Sequence, residues 1–304
     1  MNGSPATGAR RCAVVCNPTK VSDGFRDLVH RRLAAAGWAE PLWIETSADD
    51  PGRAMTAQAL GWQPDLVIGA GGDGTIRVVA DGMARSGVPM AVVAAGTANL
   101  LARNLHLPLS EEEALEVALA GRTKDVDLIL LSVDDGPPEH FAVMAGVGVD
   151  AVIMDEVNPQ LKDLVGAAAY FVAAGKALGR LPMRLEVRLD GGRWHRRRRA
   201  MVCLIGNVGK LPGNLTLIPD AEVDDHRLDV YIASPHRIRH WLRLLLRLVG
   251  GRRRGEDAVD AWQGRQVTVR LAERDSYQLD GDVVGECRTL SAEVQPGVLR
   301  VCIP

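Results

Sequence analysis

Four runs within the first 95 residues, RCAVVCN, PLWIET, PDLVIGA and PMAVVAA, are apolar almost from end to end, and stretches of helical periodicity separate them. A strand with one wet face alternates apolar and polar residues. A strand apolar throughout has to be buried on both sides, which parallel sheets achieve by carrying helices on each face. The connecting stretches supply those helices. Phe25, Leu28, Val29, Leu33 and Ala36 recur at helical spacing, so the pattern predicts a helix over 22–36, capped by Ser22 or Asp23 and stopped at Gly37. PGRAMTAQAL, with Pro51 in its first turn, and TIRVVADGMARSG predict two more.

From DVDLILLSVDD onward the texture changes to strand-like runs with turn signals. In MRLEVRLDGGRWHRRRRAMVCLIGN, Gly191 and Gly192 join two runs as a hairpin would, and in RRRR only alternate residues can share a face. Two helical stretches, 163–179 and 236–251, interrupt the strands. A chain of 304 residues exceeds one average core. We therefore expect two domains, a parallel α/β domain over 11–128 and a mainly antiparallel β domain over 129–304, after a disordered Gly/Ser/Pro/Ala-rich tail.

Between the third strand and the next helix lies GAGGDGT, residues 69–75. Gly69, Gly71 and Gly74 fit the spacing of a dinucleotide-binding turn. That turn belongs after the first strand, and it needs an acidic residue at the end of the following strand to hold a ribose. Here the motif follows the third strand, and the next strand ends Ala94, Ala95, Gly96. A hydride-transfer enzyme is thus disfavoured. Glycines at a helix start free backbone N–H groups to cradle an anion, while Asp73 can serve a metal and Thr75 can donate to a phosphate. Asn17 and Thr46, at the ends of the first two strands, would line the same crevice, as would Gly96 and Thr97 after the fourth.

The formal net charge of −2 gives no global pull toward nucleic acid, so no nucleic-acid partner is expected. The charge is uneven, however. Residues 180–254 carry 17 Lys and Arg against 7 Asp and Glu, a surface suited to anionic partners such as phospholipid headgroups. The five cysteines are scattered, odd in number and form no C-x-x-C pair, so neither a zinc site nor a disulfide framework is indicated, and a reducing compartment fits. No signal peptide or membrane-spanning run is visible. The expected location is the cytoplasm, with peripheral membrane contact, and a homodimer is compatible with the sequence.

GAGGDGTIRVVADGM followed by AAGTANLLARNLHLP resembles the diacylglycerol kinase catalytic domain and the bacterial lipid kinases that share it. NAD kinases and phosphofructokinases carry a similar GGDG turn but lack the G-T-x-N…A-R segment. VVCNPTK, LIPDAEVDDHRLDVYIA and YQLDGDVVGE resemble further blocks of the family in the same order. The resemblance implies an NAD-kinase-like or phosphofructokinase-like α/β domain followed by an antiparallel β-sandwich domain, with Mg-ATP bound in the crevice between them. It implies nucleotide contacts from Asn17, Pro18, Thr46, Gly71, Gly72, Asp73, Gly74, Thr75, Gly96 and Thr97. Three positions depart from the pattern: TKVSDG replaces a Ser-Gly-Gly stretch after Asn-Pro, Leu100 stands where an Asp is common, and His226 replaces a Gly.

Phosphoryl transfer needs positioned phosphates, a metal to neutralise charge, and a base for the attacking hydroxyl. By resemblance the base is Asp282, with Asp280 its neighbour or metal partner, and a carboxylate beside another suits that work. The resemblance also implies a structural magnesium near Asp225, held with Glu222 and the carbonyl of Arg227. The stretch 236–249 aligns His236, His240, Arg243 and Arg247 on one face and can lie against a sheet or in a bilayer interface. The reading is an ATP-dependent lipid kinase acting on diacylglycerol or a similar lipid alcohol. The alternatives are a sphingoid base, a glycolipid or NAD as acceptor, or a nucleotide- or lipid-binding regulator without catalysis.

Overall fold

The computed structural model describes residues 8–148, 182–211, 215–216, 218, 221–234 and 259–304. The helical expectations over 163–179 and 236–251 lie outside them, as does the first part of the N-terminal tail. The chain divides into two units, one running to Val126 and including Gly297–Pro304, the other comprising Asp127–Pro296.

In the first unit, strands β1 (Cys12–Cys16), β2 (Leu42–Glu45), β3 (Leu66–Gly71) and β4 (Met90–Ala94) form a parallel sheet in the order β2-β1-β3-β4. β1, β3 and β4 are buried at every residue, as their unbroken apolar sequences require. Helices α1 (Phe25–Ala35), α2 (Arg53–Gly61), α3 (Asp73–Met83), α4 (Leu100–Asn104) and α5 (Glu111–Ala120) complete the unit. Cys12, Val14 and Cys16 share one core with Phe25, Val29 and Leu33 of α1 and Ala114, Leu115 and Ala118 of α5. Toward the other face, a Cβ on Gly69 would meet Met90, Val79 and Ile76 within 3.6 Å, so α3 sits close upon β3.

The start of α1 differs from expectation. Its cap position is Gly24, with no side-chain bond, because the N–H and hydroxyl of Ser22 both donate to Glu111 at the head of α5. Helix α5, which periodicity had not marked, is opened by Ser110, whose Oγ accepts from the N–H of Glu113 and donates to its carboxylate. Three glutamates in its first turn favour the helix dipole, and Gly121 ends it at φ +75°.

The second unit contains the distal part of β5 (Thr123–Val133), then β6 (Glu139–Phe141), β7 (Met144–Val147), β8 (Met183–Leu189), β9 (Trp194–Ala200) and β10 (Val202–Gly206). The short β11 (Lys210–Leu211) and β12 (Leu215–Thr216) follow, then β13 (Leu228–Ala233), β14 (Val259–Gly264), β15 (Gln266–Leu279) and β16 (Asp282–Cys302). One antiparallel layer runs β14-β13-β10-β7 and ends on Tyr277–Leu279 of β15. The other is built by β9, β8, residues 267–271 of β15, β16, β5 and β6. β15 serves both because its pairing with β16 is irregular between Arg270 and Asp275, where the hairpin turns from one layer to the other. Val267, Val269 and Leu271 point into the shared core with Leu185, Val187, Ile205, Val230 and Phe141. The expected sandwich and the hairpin through Gly191 are both present, the latter with Asp190 and Gly191 at positive φ.

The last eight residues return to the first unit. There Val301 of β16 pairs in parallel with Met90 of β4, Arg85 donates its N–H to the Val298 carbonyl, and Ile303 donates to that of Arg122.

Candidate active site

Because β2, β1, β3 and β4 run parallel, their C-terminal ends share one edge, and the ladder continues just past each strand. The N–H of Thr46 donates to Cys16, that of Asn17 to Ala70 and that of Ala95 to Gly71, each at 2.8 Å. Thr46, Asn17, Gly72 and Gly96 are thereby brought side by side. The chain leaves β1 toward β2 on one side and later adds β3 on the other, so the strand order reverses between β1 and β3. At such a reversal the loops diverge and open a crevice for a ligand.

Helix α3 begins at Asp73 rather than Thr75, and its cap position, Gly72, has no side chain to close the helix end. Thr75 is buried and folds back on Gly71, where an added Cβ would lie 2.8 Å from its own Cβ. Gly72 and Gly96 approach backbone to backbone, since a Cβ on Gly96 would come within 2.8 Å of the Gly72 Cα. Gly96 needs to be glycine for that reason, whereas a Cβ on Gly72 would stand 3.6 Å from the Gly96 Cα, an ordinary contact. The carboxylate of Asp73 spans the two loops, accepting the N–H of Asn99 at 2.8 Å and of Leu100 at 2.6 Å. Asn99, at φ +51°, accepts the Gly96 N–H on its own Oδ1 at 2.9 Å. Asp73 is thus a clasp that docks the start of α4 onto the start of α3. Pro18 and Thr97 are exposed on the same edge. The Asn17 Oδ1 accepts from the N–H and hydroxyl of Thr19, which closes the NPTK turn locally and leaves its Nδ2 to donate elsewhere.

In the second unit the neighbouring acids part company. Asp280 is buried and accepts the N–H groups of Met144 at 2.8 Å, Val143 at 3.0 Å and Ala142 at 3.3 Å, while its own N–H donates to the Met144 carbonyl. Its carboxylate is an anchor for the β6–β7 junction. Asp282, two residues on, is exposed at the start of β16 beside Val283 and Val284, which are 43% and 45% exposed. Among the described residues few large apolar side chains stand so open, and this pair adjoins a carboxylate.

The loop before β13 brings Glu222 and Asp225 into the neighbourhood of Asp127 on β5. Burial raises the Asp225 carboxyl above the ordinary carboxylate range; the bond from the Arg227 N–H, at 2.9 Å, opposes this, and the charges of Asp127 and Glu222 add to it. Among the described residues no three His, Cys, Asp or Glu side chains converge as a metal cluster. Asp127, almost wholly buried, accepts the His226 N–H at 2.7 Å and meets its Nδ1 at 3.1 Å.

Residues 11–131 match the diacylglycerol kinase catalytic domain, and residues 143–303 match the YegS C-terminal NAD kinase beta sandwich-like domain. The chain belongs to the diacylglycerol kinase family. A diacylglycerol kinase of Bacillus subtilis (strain 168) is 25% identical over 283 residues, covering 91% of each chain. The crystal structure of a diacylglycerol kinase from Bacillus anthracis str. Sterne superposes with a TM-score of 0.70 at 17% identity, covering 98% of each chain. An NAD kinase from Archaeoglobus fulgidus, solved in complex with ATP, shares the fold at a TM-score of 0.51 and 13% identity, covering 96% of this chain and 93% of its own.

As a member of the diacylglycerol kinase family the chain is an enzyme, a phosphotransferase, and two of its departures from the family pattern have physical causes. His226 takes φ +61°, a left-handed conformation that a glycine adopts without strain, and its ring bond to Asp127 offsets part of the cost. Leu100 is fully buried and uses its N–H, not its side chain, to hold Asp73. Asp127 and Asn207 were not singled out from the sequence. Asn207 donates its Nδ2 to the carbonyls of Asp127 and Ala142 from a buried position, so it fixes the segment that Asp280 fixes from the other side. The signal for both is a polar residue bordering an apolar run, Asp127 just before Leu128–Leu131 and Asn207 just after β10. All five cysteines are free and buried, and burial pushes the thiols of Cys16, Cys203 and Cys287 up to about 12, which removes them from thiolate chemistry.

Proposed function

We propose that this enzyme is an ATP-dependent lipid kinase that phosphorylates the hydroxyl of diacylglycerol or a similar lipid alcohol. The observation that carries the reading is the close approach of Gly96, which has no room for a Cβ, to Gly72 at the uncapped N-terminus of α3, locked by Asp73, in a chain of the diacylglycerol kinase family. An open helix start with small neighbours suits a string of phosphates, whose charge the helix N-terminus favours. Bound there, Mg-ATP supplies the γ-phosphoryl group and the cation that neutralises its oxygens. Asn17 and Thr46 line the same strand edge, and Asp73 keeps the second loop in register.

Asp282 takes the proton of the acceptor hydroxyl, whose oxygen forms the new P–O bond as the bond from the γ-phosphorus to the β,γ-bridging oxygen breaks and ADP leaves. Its exposure beside Val283 and Val284 supports this assignment, because a lipid alcohol brings an apolar body with its hydroxyl. Glu222, Asp225 and the carbonyl of Arg227 would hold a structural magnesium. The accumulated negative charge around Asp225 supports a cation there. The place of work is the cytoplasmic face of a membrane; among the described residues no helix is long and apolar enough to cross one.

The test is to incubate the protein with labelled ATP, magnesium and a total lipid extract and to identify the lipid that gains label. A diacylglycerol-type product is expected, and Asp73→Ala and Asp282→Ala should each abolish labelling while the circular dichroism stays native. Hydrolysis or nucleotide binding with no labelled lipid, or full activity in either variant, overturns the proposal.

A further inference from the structure

The second unit carries a cavity of about 400 Å³ whose lining includes Arg184, Arg196, Arg197, Arg270, Arg288 and Glu186. Its position follows from strand register. Arg196 on β9 faces Glu186 on β8, Glu186 faces Arg270 on β15, and Arg270 faces Thr289 on β16, so one row crosses four strands. The core-facing neighbours, Val187, Val269 and Leu290, point the other way. The cavity therefore opens on the outer surface of the sandwich. Thr289 lies seven residues along β16 from Asp282, roughly 20 Å at strand rise.

Charge in the cavity is not balanced. Glu186 is answered by Arg196 at 2.7 Å, and Arg197 is answered by Asp260 at 2.6 Å. Among the described residues the guanidinium groups of Arg184, Arg270 and Arg288 meet no carboxylate, and all three residues are exposed; Arg288 donates its Nη2 to the Ala272 carbonyl at 3.4 Å, and only its backbone N–H reaches the Asp134 carboxylate. Arg270 is nevertheless held in place, its guanidinium 4.5 Å from the centre of the Trp194 ring, which Arg188 also covers at 4.8 Å. Converging like charges destabilise a sheet face, and the repulsion is relieved when a multiply charged anion enters. Guanidinium forks match phosphate oxygens in pairs, and a hydroxyl such as that of Thr289 adds a further donor.

We propose that this cavity is a binding site for a phosphate monoester, held by Arg184, Arg270 and Arg288. The site lies wholly within the second unit and does not depend on the kinase reading. The phosphate can be that of a soluble metabolite or of a lipid headgroup. Calorimetric titration with glycerol 3-phosphate and cosedimentation with phosphatidylcholine vesicles doped with phosphatidate separate the two sources. The wild type is expected to bind one or both probes. Arg184→Gln/Arg270→Gln/Arg288→Gln should weaken that binding about tenfold or more, since each charge-assisted bond is worth at least that factor. Arg184→Gln/Arg288→Gln, which leaves the Trp194 contact intact, should show an intermediate loss at unchanged melting temperature. Binding of the soluble probe alone assigns a metabolite, and binding of vesicles alone assigns a headgroup. Failure of the wild type to bind either, or equal binding by both variants, overturns the proposal, whatever the outcome of the lipid-labelling assay.

Discussion

Replacing Asp73 by Asn changes one atom and breaks the clasp between the two glycine loops. The carboxylate now accepts the Asn99 N–H at 2.8 Å and the Leu100 N–H at 2.6 Å. An amide has a single oxygen; if it keeps Leu100, its NH₂ faces the Asn99 N–H, donor against donor. One charge-assisted bond is lost and one backbone donor stranded, a cost of about 2 to 3 kcal/mol. If the clasp alone holds the second loop against the first, that cost appears as a fall of roughly 30- to 160-fold in kcat/KM. The assay is steady-state phosphorylation of the lipid identified by labelling, at varied ATP, with thermal melts alongside. Gly96→Ala is the companion, because its Cβ would sit 2.8 Å from the Gly72 Cα and part the loops without touching the Asp73 charge. Both variants should lose activity in the same way. An unchanged kcat/KM in Asp73→Asn, or a loss in Asp73→Asn with none in Gly96→Ala, would refute the clasp.

Asp280→Ala should lower stability by about 3 kcal/mol or more, since three buried N–H groups lose their acceptor, whereas Asp282→Ala should leave the denaturant midpoint unchanged; equal midpoints would erase the distinction between anchor and base. At His226, Gly should be more stable than Ala by about 1 kcal/mol, because both lose the ring and only Gly relaxes at φ +61°; a stabler Ala variant would contradict this. Bonds from the N–H groups of Ala54 and Gly52 hold the Asp50 carboxyl below the ordinary range. A depressed carboxyl contributes stability above its unfolded value of about 3.9, and the contribution fades as pH falls through the lower folded value. Asp50→Asn should flatten that part of an acid-unfolding curve, and an unaltered curve would count against it. A thiol reagent at pH 8 should find none of the five buried cysteines in the native protein and all five after denaturation; fast labelling of any would show that burial does not protect it.

The parallel sheet was legible because β1, β3 and β4 are buried on both faces, and only apolar residues tolerate that. The phosphate cradle was legible because glycines between a strand and a helix leave a mark in the chain itself. What joins Asp73 to Asn99 left no such mark. They stand 26 positions apart, and their bond exists only once β3 and β4 lie side by side. Nor could adjacency in sequence separate Asp280 from Asp282: a turn with Asp280 at φ +47° aims one inward and leaves the other in water. Helix α4 spans five residues, too few for periodicity to declare. Helix α5 could have been found, since Ser110 with three glutamates after it and Gly121 at its end is a start-and-stop pattern in plain view.

The pairing of Val301 with Met90 has a consequence for how the protein can be made. A gene fragment stopping at Val126 would encode every helix and four strands of the first unit yet leave the flank of β4 bare, a row of unpaired peptide groups open to association with other chains. During synthesis the ribosome must translate the entire sandwich before that flank can be covered. Separating the two units cleanly would take a permuted gene, in which residues 297–304 are spliced beside 8–126 through a new linker.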